Sequence, residues 1–364
     1  MTSAIATLND FGQSPWYDNI TRTLVQGGGL AALLRDDGIR GVTSNPTIFE
    51  KAIAGGEGYD DAIRAAQAAG DSIEATFWDL AVEDIGTGAD ILRPVFDAHG
   101  GRDGFISIEV SPKLAHDTAA TAAQAVELFT RLGRPNIMIK IPATLEGLPA
   151  ITSTIGAGIN VNVTLIFDLD RYGEVIDAYC AGLEALAANG GDLSKVNSVA
   201  SFFVSRVDTE ADKRLAEDSP LRGKLAVANA RLAYEKFEAA CASERWQALG
   251  AQGANVQRPL WASTSTKNPA YPPTLYVDTL IGPNTVNTLA PASIDALHAP
   301  GVALRANTVA EGVDDAHQVM ADLDAAGISY SDITATIERE GVASFAKSYD
   351  DLLATLATRA AELA

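Results

Sequence analysis

The chain has 364 residues, of which 47% are hydrophobic, and this composition is sufficient for a large buried core. Its 27 basic and 47 acidic residues give a net charge of −20, which argues against nucleic acid and anionic membrane surfaces as partners. The length fits either two domains of average size or one larger α/β barrel.

The ends and the cysteines of the chain indicate its compartment. The N-terminal segment has no basic region and no long apolar core, so no signal peptide is predicted. No apolar stretch is long enough to span a bilayer. The two cysteines, Cys180 and Cys241, form neither a CxxC pair nor a disulfide framework. We therefore expect a cytoplasmic protein without membrane association.

Short apolar runs alternate with longer, alanine-rich amphipathic stretches along the chain. The runs predict eight strands, near residues 14–18, 39–43, 104–110, 136–141, 159–167, 196–204, 259–265 and 275–281. Helical spacing fills most of the gaps, for example at 118–132, 171–188 and 221–249. Strands separated by helices favour a parallel sheet, and eight such units predict a closed (β/α)8 TIM barrel of the α/β class.

Two stretches depart from this rhythm. Residues 46–101 hold more than one helix before the next strand, and residues 314–364 are helical with no strand after them. No low-complexity linker divides the chain. We predict one domain over residues 1–364, in which 314–364 form a C-terminal helical extension that packs over the barrel mouth.

Lys140 lies in the fourth apolar run, between Ile139 and Ile141. Burying an ammonium group is costly unless the group is paired or loses its proton. An unprotonated lysine is an amine nucleophile, the group that forms Schiff bases with carbonyl substrates. The alternative is that Lys140 points to solvent from an edge strand, as most lysines do.

Polar residues occur where other predicted strands end, and in a β/α barrel these carboxyl ends carry the working residues. Each residue has a structural alternative: Asp18 could cap a helix, Asn45 could form a turn, and Glu109 could pair with a surface lysine. Asn162 and Thr164 are two residues apart, so in a strand they face the same side. Because polar residues recur at the ends of several predicted strands, the sequence favours one polar site beside Lys140. The candidates are Asp18, Asn45, Glu109, Asn162, Thr164, Ser201, Arg206, Ser265 and Lys267.

Motifs for metals and organic cofactors are not evident in the sequence. The four histidines are scattered, without the spacing of zinc ligands. The glycines at 27–29 and 86–88 lack the remaining residues of phosphate-binding and dinucleotide-binding fingerprints. We predict a site that works without metal or cofactor.

Five segments of the chain together resemble the transaldolase family, over most of its length. They are Gly41-Val42-Thr43-Ser44-Asn45-Pro46-Thr47, Ile106-Ser107-Ile108-Glu109-Val110, Ile139-Lys140-Ile141-Pro142-Ala143-Thr144, Gly158-Ile159-Asn160-Val161-Asn162-Val163-Thr164-Leu165 and Ser201-Phe202-Phe203-Val204-Ser205-Arg206. The resemblance implies a TIM barrel and a class I aldolase mechanism in the pentose phosphate pathway. A dihydroxyacetone unit would pass from sedoheptulose 7-phosphate or fructose 6-phosphate to glyceraldehyde 3-phosphate or erythrose 4-phosphate.

The resemblance also implies roles in the chemistry. Lys140 would form the Schiff base. Glu109 would act through a water in the proton transfers, and Thr164 would help to hold that water. Asp18 would exchange a proton with the C4 hydroxyl while the C3–C4 bond breaks or forms. Asp18 is the least securely aligned of these residues, and Asp10 is the alternative.

Substrate binding would fall to the remaining candidates. Asn45 and Asn162 would hydrogen-bond the hydroxyls of the three-carbon unit. Arg206 is the natural bidentate partner for the phosphate. Family members often carry arginine where this chain has Lys267. The other candidates for the phosphate are Ser201, Ser265 and Lys267.

Two other functions compete with transaldolase. One is a fructose 6-phosphate aldolase, but these relatives are much shorter and lack the glutamate found at Glu109. The other is a barrel that binds sugar phosphates without catalysis. In each case we expect sugar phosphates as the partners, and either a monomer or a homodimer.

Overall fold

A computed structural model describes residues 3–56 and 58–364. Within these residues eight parallel strands close into a barrel, in which each strand pairs with its neighbour in sequence and the eighth pairs with the first. The predicted (β/α)8 TIM barrel is confirmed. The strands are β1 (Gln13–Tyr17), β2 (Gly41–Val42), β3 (Phe105–Glu109), β4 (Ile137–Pro142), β5 (Val161–Ile166), β6 (Ser198–Phe203), β7 (Arg258–Ala262) and β8 (Thr285–Leu289).

Helices surround the barrel and continue beyond it. The α-helices of the described residues are α1 (Ala4–Asp10), α2 (Arg22–Gln26), α3 (Gly29–Asp36), α4 (Pro46–Ala54), α5 (Asp60–Ala69), α6 (Ile73–Ala98), α7 (Thr118–Leu132), α8 (Gly147–Gly156), α9 (Leu169–Ala188), α10 (Ser205–Arg214), α11 (Leu225–Ala242), α12 (Glu244–Gly250), α13 (Leu275–Asp278), α14 (Pro291–Leu297), α15 (Val313–Ala325) and α16 (Tyr330–Leu363).

Local sequence explains where several helices begin and end. The predicted helix at 118–132 is α7, with Asp117 accepting a hydrogen bond from the amide of Ala120 and Gly133 ending the helix in a left-handed conformation. The predicted helix at 221–249 is two helices. Ser243 is extended and its side chain caps α12 by accepting from the amide of Trp246, so α11 ends one residue before it.

The eighth predicted strand was wrong. Leu275 begins the short helix α13, and the eighth strand is β8, further along the chain. A short apolar run does not distinguish a strand from a buried helical turn, and here Tyr276 and Val277 are buried from a helix. The sequence of the true strand does not predict a strand because Thr285, Asn287 and Thr288 interrupt its apolar pattern, although all three are buried.

Strand register brings distant polar residues together at the carboxyl ends. Glu109 pairs with Lys140 across β3 and β4, and Lys140 pairs with Asn162 across β4 and β5. Strand β4 ends at Pro142, as expected for a residue that cannot donate a ladder hydrogen bond. The register of β5 against β6 shifts after Val163, the kind of irregularity that redirects side chains at a barrel rim.

The second helix of the C-terminal extension packs against the mouth of the barrel, as predicted, whereas the first, α15, packs against α11. Helix α16 lies against α4, and Phe345 lines the cavity at the carboxyl ends of the strands. Its C-terminal half is fixed by Tyr349, which donates to Glu74 at 2.7 Å, and by Arg359, which pairs with Asp60 at 2.7 Å.

The apolar core lies between the strands and the helices. Phe202 on β6, for example, meets Tyr172 of α9 and Trp261 of β7 edge to face, and all three are fully buried. Across residues 3–56 and 58–364, none of the helices has both the length and the apolar composition needed to cross a membrane.

Candidate active site

A cavity of about 220 Å³ opens at the carboxyl ends of the strands, where a β/α barrel carries its working residues. Eight of the ten residues predicted from the sequence line it, and they come from six strand ends. They are Asp18, Asn45, Lys140, Thr164, Ser201, Arg206, Ser265 and Lys267. The other two, Glu109 and Asn162, lie in register with Lys140 on either side of it.

Lys140 is inside the barrel and not on a solvent-facing edge. Its residue is 4% exposed, and β3 and β5 flank its strand. The ammonium donates to the carbonyl oxygen of Ser44 at 3.0 Å and lies 3.2 Å from Oε2 of Glu109. These two oxygens compensate the burial of the amine, while the cavity gives a ligand access to it.

Glu109 is the last residue of β3 and is 7% exposed. Burial raises the pKa of this carboxyl, and the charge and hydrogen bond of Lys140 lower it. The partner is therefore a buried lysine, not the surface lysine of the structural alternative. On the neighbouring wall Thr164 is fully buried, and its Oγ1 has no hydrogen-bond partner among the described residues.

Asp18 follows β1 at the rim of the cavity, where Thr43, the residue after β2, positions it. Thr43 donates to Oδ1 of Asp18 at 2.6 Å. Burial raises the pKa of Asp18, while the Thr43 hydrogen bond and then the charges of Lys140 and Lys267 lower it. The alternative that Asp18 caps a helix is wrong, because Thr21 caps α2. Asp10 is exposed at the end of α1 and does not line the cavity.

The two asparagines are held differently. Asn45 caps α4, with its Oδ1 accepting from the amide of Ile48 at 3.0 Å, so its Nδ2 group is the part that can meet a ligand. Asn162 is fully buried, donates to Ser107 at 3.0 Å and accepts from Ser201 at 2.7 Å. The Ser201 hydroxyl therefore orients Asn162. Asn162 and Thr164 both point into the barrel, as their spacing predicted.

Cationic side chains surround the outer part of the cavity. Arg206 enters from the start of α10, and Lys267 donates to Ser265 at 2.8 Å. Lys51, on the helix that Asn45 caps, is a third cation on the cavity wall. Burial lowers the pKa of Lys267, and the charge of Arg206 lowers it further, with a smaller effect from Lys51. Such a cluster is suited to a phosphate.

Sequence reasoning missed part of this wall. Thr43 and Phe203 belong to two of the five transaldolase-like segments. Their position on the cavity wall depends on packing with neighbouring residues, which the segments do not reveal. Lys51 and Phe345 come from helices, where a lysine or a phenylalanine at helical spacing gives no sign of a cavity. Thr288 was missed with its strand. The additional lining residues include Thr43, Lys51, Phe203, Thr264, Thr288 and Phe345.

In the described parts of the chain, no group of three or more His, Cys, Asp or Glu side chains is arranged to hold an ion.

Comparison with known proteins assigns the chain to a family. The family model described as Transaldolase/Fructose-6-phosphate aldolase matches residues 15–356. The chain belongs to this family. Curated relatives in the family cover nearly its whole length, and the resemblance predicted from the five segments is confirmed.

Three of these relatives are bacterial proteins with about half of their residues identical to this chain. The transaldolase of Saccharopolyspora erythraea is 50% identical over 357 residues, 97% of each chain. Transaldolase 1 of Streptomyces coelicolor is 50% identical over 97% of this chain and 94% of its own. The transaldolase of Acidothermus cellulolyticus is 50% identical over 100% of this chain and 98% of its own. The names of these relatives bear out the predicted transaldolase.

Proposed function

We propose that this chain transfers a dihydroxyacetone unit between sugar phosphates through a Schiff base on Lys140. One observation carries the proposal: Lys140 is 4% exposed inside the barrel, 3.2 Å from the carboxylate of Glu109, at the base of a cavity ringed by cations. A buried amine, a carboxylate beside it and a group of cations at the same end of the barrel support this chemistry, because they can serve as nucleophile, proton acceptor and anion-binding rim.

The first half-reaction breaks the donor. The amine of Lys140 attacks the C2 ketone of a ketose phosphate, and the carbinolamine loses water to give an iminium ion. Glu109 and Thr164 serve these proton transfers through a water, consistent with the buried Thr164 Oγ1 that lacks a partner among the described residues. Asp18 then takes the C4 hydroxyl proton, the C3–C4 bond breaks, and the iminium accepts the electron pair.

The second half-reaction builds the product. The enamine stays on Lys140, the first aldose phosphate leaves, and an acceptor aldose phosphate enters. Its aldehyde carbon bonds to the enamine carbon, the iminium ion re-forms, and Asp18 returns the proton to the new hydroxyl. Water then adds to the iminium carbon, the carbon–nitrogen bond breaks, and the new ketose phosphate leaves with the Lys140 amine restored. Asn45 and Asn162 hold the hydroxyls of the three-carbon unit in one orientation between the steps. Ser201 contributes by fixing Asn162, with which it shares a 2.7 Å hydrogen bond.

Phosphate recognition occurs at the outer rim. Arg206 offers a bidentate donor set, and Lys267 and Lys51 add charge on the neighbouring wall. Ser265 lies with Lys267 and adds a hydroxyl. Because the whole chain is acidic, with a net charge of −20, this local group of cations has to supply the attraction for an anionic substrate.

Borohydride trapping tests the proposal. The protein is incubated with fructose 6-phosphate and reduced, and the modified peptide is mapped by mass spectrometry. We expect a three-carbon adduct on Lys140, which reports both the Schiff base and the retained enamine. Lys140→Met should give no adduct and lower the transfer rate by about 10⁴-fold or more, as for removal of other nucleophiles. Lys195→Met, at an exposed lysine outside the cavity, is the control.

The other outcomes separate the competing functions. Absence of any adduct in folded protein would overturn the mechanism and favour a barrel that binds sugar phosphates without catalysis. A three-carbon adduct accompanied by stoichiometric release of dihydroxyacetone, even with an acceptor present, would favour a fructose 6-phosphate aldolase.

A further inference from the structure

The C-terminal helix α16 brings two buried residues, Gly341 and Phe345, to the mouth of the barrel one turn apart. Residues at this spacing lie on the same face of a helix. Phe345 is 4% exposed and lines the cavity. The helix therefore forms part of the site wall and is more than a cover on the outer surface.

Phe345 contacts both cations on which the proposed chemistry depends. The centre of its ring lies 5.9 Å from Nζ of Lys140 and 5.8 Å from Cζ of Arg206. A second ring, that of Phe203, lies 5.2 Å from the same Arg206 carbon. Aromatic rings at these distances attract a cation through their quadrupoles. Phe345 therefore links the Schiff-base end of the cavity to its phosphate end.

Gly341 lets the helix backbone approach the arginine closely. A Cβ atom at this position would lie 3.2 Å from Cδ2 of Leu165 and 3.4 Å from Nη1 of Arg206. The contact with Leu165 is short enough to require a movement of a few tenths of an ångström, whereas the contact with Arg206 is at the edge of ordinary van der Waals distance. A side chain at Gly341 would therefore press on Leu165 and touch the guanidinium of Arg206.

Packing, not ion pairing, holds Arg206 in place. Among the described residues, no ion pair or hydrogen bond involves its guanidinium. Arg22 shows the contrasting case, since it bonds Asp84 at 2.8 Å and Glu83 at 2.7 Å. A guanidinium without a carboxylate partner keeps its N–H groups for a ligand, but its orientation then depends on the rings and the glycine around it.

We propose that Phe345 is a positioning residue with two effects, which rest on the function proposed above. Its ring orients Arg206 and so sets the affinity for phosphate. Its bulk also covers the enamine on Lys140, and so sets the share of turnovers that end in transfer. The second effect follows from the position of the ring beside the Lys140 amine.

The competing reaction is hydrolysis of the intermediate. If water reaches the site, the enamine carbon takes a proton and the iminium ion re-forms. Water then adds to the iminium carbon, the carbon–nitrogen bond breaks, and dihydroxyacetone leaves with the Lys140 amine restored. The water consumed equals the water lost when the Schiff base formed, so the net result is cleavage of the ketose phosphate. A side chain that excludes water from the enamine suppresses this path.

The docking of α16 permits a selective test. None of its anchors lines the cavity: Tyr349 bonds Glu74 at 2.7 Å, Arg359 pairs with Asp60 at 2.7 Å, and Lys113 pairs with Asp350 at 2.7 Å. Truncation of Phe345 leaves all three contacts in place. Tyr349→Phe is the matched control, because it removes one docking hydrogen bond and changes no residue of the cavity wall.

Three variants separate the two effects: Phe345→Ala, Phe345→Leu and Gly341→Ala. The measurements are the affinity for inorganic phosphate by calorimetry, KM and kcat for transfer, and the fraction of cleaved donor released as dihydroxyacetone in the presence of acceptor. Phosphate binding reports on Arg206 without any chemistry, so it is informative even if Lys140 forms no adduct.

We expect Phe345→Leu to weaken phosphate binding and raise KM by about three- to tenfold, the scale of a lost cation–π contact, with little change in kcat or in dihydroxyacetone release. Phe345→Ala should add a rise in released dihydroxyacetone of at least about fivefold. Gly341→Ala should weaken phosphate binding although alanine favours the helix. Tyr349→Phe should change none of these quantities.

The inference is overturned if folded Phe345→Ala keeps the phosphate affinity and the product ratio of the unaltered protein. It is also overturned if Tyr349→Phe reproduces the effects, since general loosening of α16 would then explain them. In either case a borohydride adduct on Lys140 of the unaltered protein leaves the proposed function standing, whereas its absence removes that function on separate grounds.

Discussion

Strand β3 has a buried carboxylate near each end, and the two carboxylates differ in their hydrogen-bond partners. At the amino end Asp103, 4% exposed, accepts from the indole of Trp16 at 3.1 Å and the amide of Gly104 at 3.2 Å, and lies 3.5 Å from Arg258. At the carboxyl end Glu109, 7% exposed, has Lys140 at 3.2 Å. One carboxylate is surrounded by donors and the other faces a single reactive amine.

The difference indicates that the two ends of the strand serve different purposes, stability and chemistry. Buried polar groups that are fully hydrogen-bonded stabilise one arrangement of the chain. A buried carboxylate with few donors has a raised pKa and remains able to exchange a proton. Glu109 is such a group, because burial raises its pKa. The amino end of the barrel is therefore expected to carry stability and the carboxyl end chemistry.

Glu109→Gln gives the largest expected effect. The amide keeps the shape of the side chain but cannot exchange a proton, so transfer should slow by about 10²- to 10⁴-fold, the usual contribution of a general acid or base. Stability should fall less than in Asp103→Ala, because the amide oxygen of the new side chain and the Ser44 carbonyl oxygen can still accept from the Lys140 amine. Steady-state kinetics and urea unfolding of the same preparation measure both quantities. A rate within threefold of the unaltered protein would remove Glu109 from the mechanism.

Asp103→Ala should show the opposite pattern. Removing the carboxylate leaves the Trp16 and Gly104 N–H groups and the Arg258 charge without this partner, and breaking a buried pair in this way costs about 3 kcal/mol. The free energy of unfolding, from urea titration, should fall by that amount. The kcat of the folded fraction should stay within about twofold. A large loss of kcat with normal stability would contradict the division between the two ends.

The sequence predicted the carboxyl end better than it predicted the contacts around it. Lys140, Asp18 and Asn45 could be found because their residue types are unusual at the ends of apolar runs. The partners that orient them could not, because Thr43 beside Asp18 and Ser201 beside Asn162 depend on packing between strands. Phe345 is some two hundred residues beyond Lys140 in sequence, and only the docking of α16 brings the two together.

Fold prediction failed where polarity and burial disagree. Seven of the eight strands were found from apolar runs, but β8 carries buried threonine and asparagine inside the barrel, and an apolar run before it forms α13. Thr264 donates to Asn287 at 2.9 Å, which satisfies part of this polarity within the barrel. The extent of the domain, 1–364, and the choice of monomer or homodimer stay predictions.

A third buried carboxylate sharpens the comparison, because it has a raised pKa without lying in the cavity. Asp208, on α10, accepts from the amide of Ala226 and the hydroxyl of Tyr276, both at 2.7 Å. Burial nevertheless raises its pKa from 3.8 to about 6. A raised pKa therefore does not mark a catalytic group by itself, and access to a reacting atom has to accompany it.

Asp208→Asn tests this reading through the pH dependence of stability. The folded pKa of about 6 exceeds the ordinary 3.8, so the folded state holds the proton more tightly than the unfolded state. This contribution to stability is complete below about pH 4 and is lost as the pH rises through 6. The unfolding free energy of the variant relative to the unaltered protein should therefore rise between about pH 5 and pH 7.5 by roughly 1.4 kcal/mol, the part of the whole effect of about 3 kcal/mol that falls above pH 5. Urea titrations at both pH values measure this change, and comparing the two differences cancels the fixed cost of the amide. A difference that does not change with pH would show that Asp208 titrates normally in the folded protein.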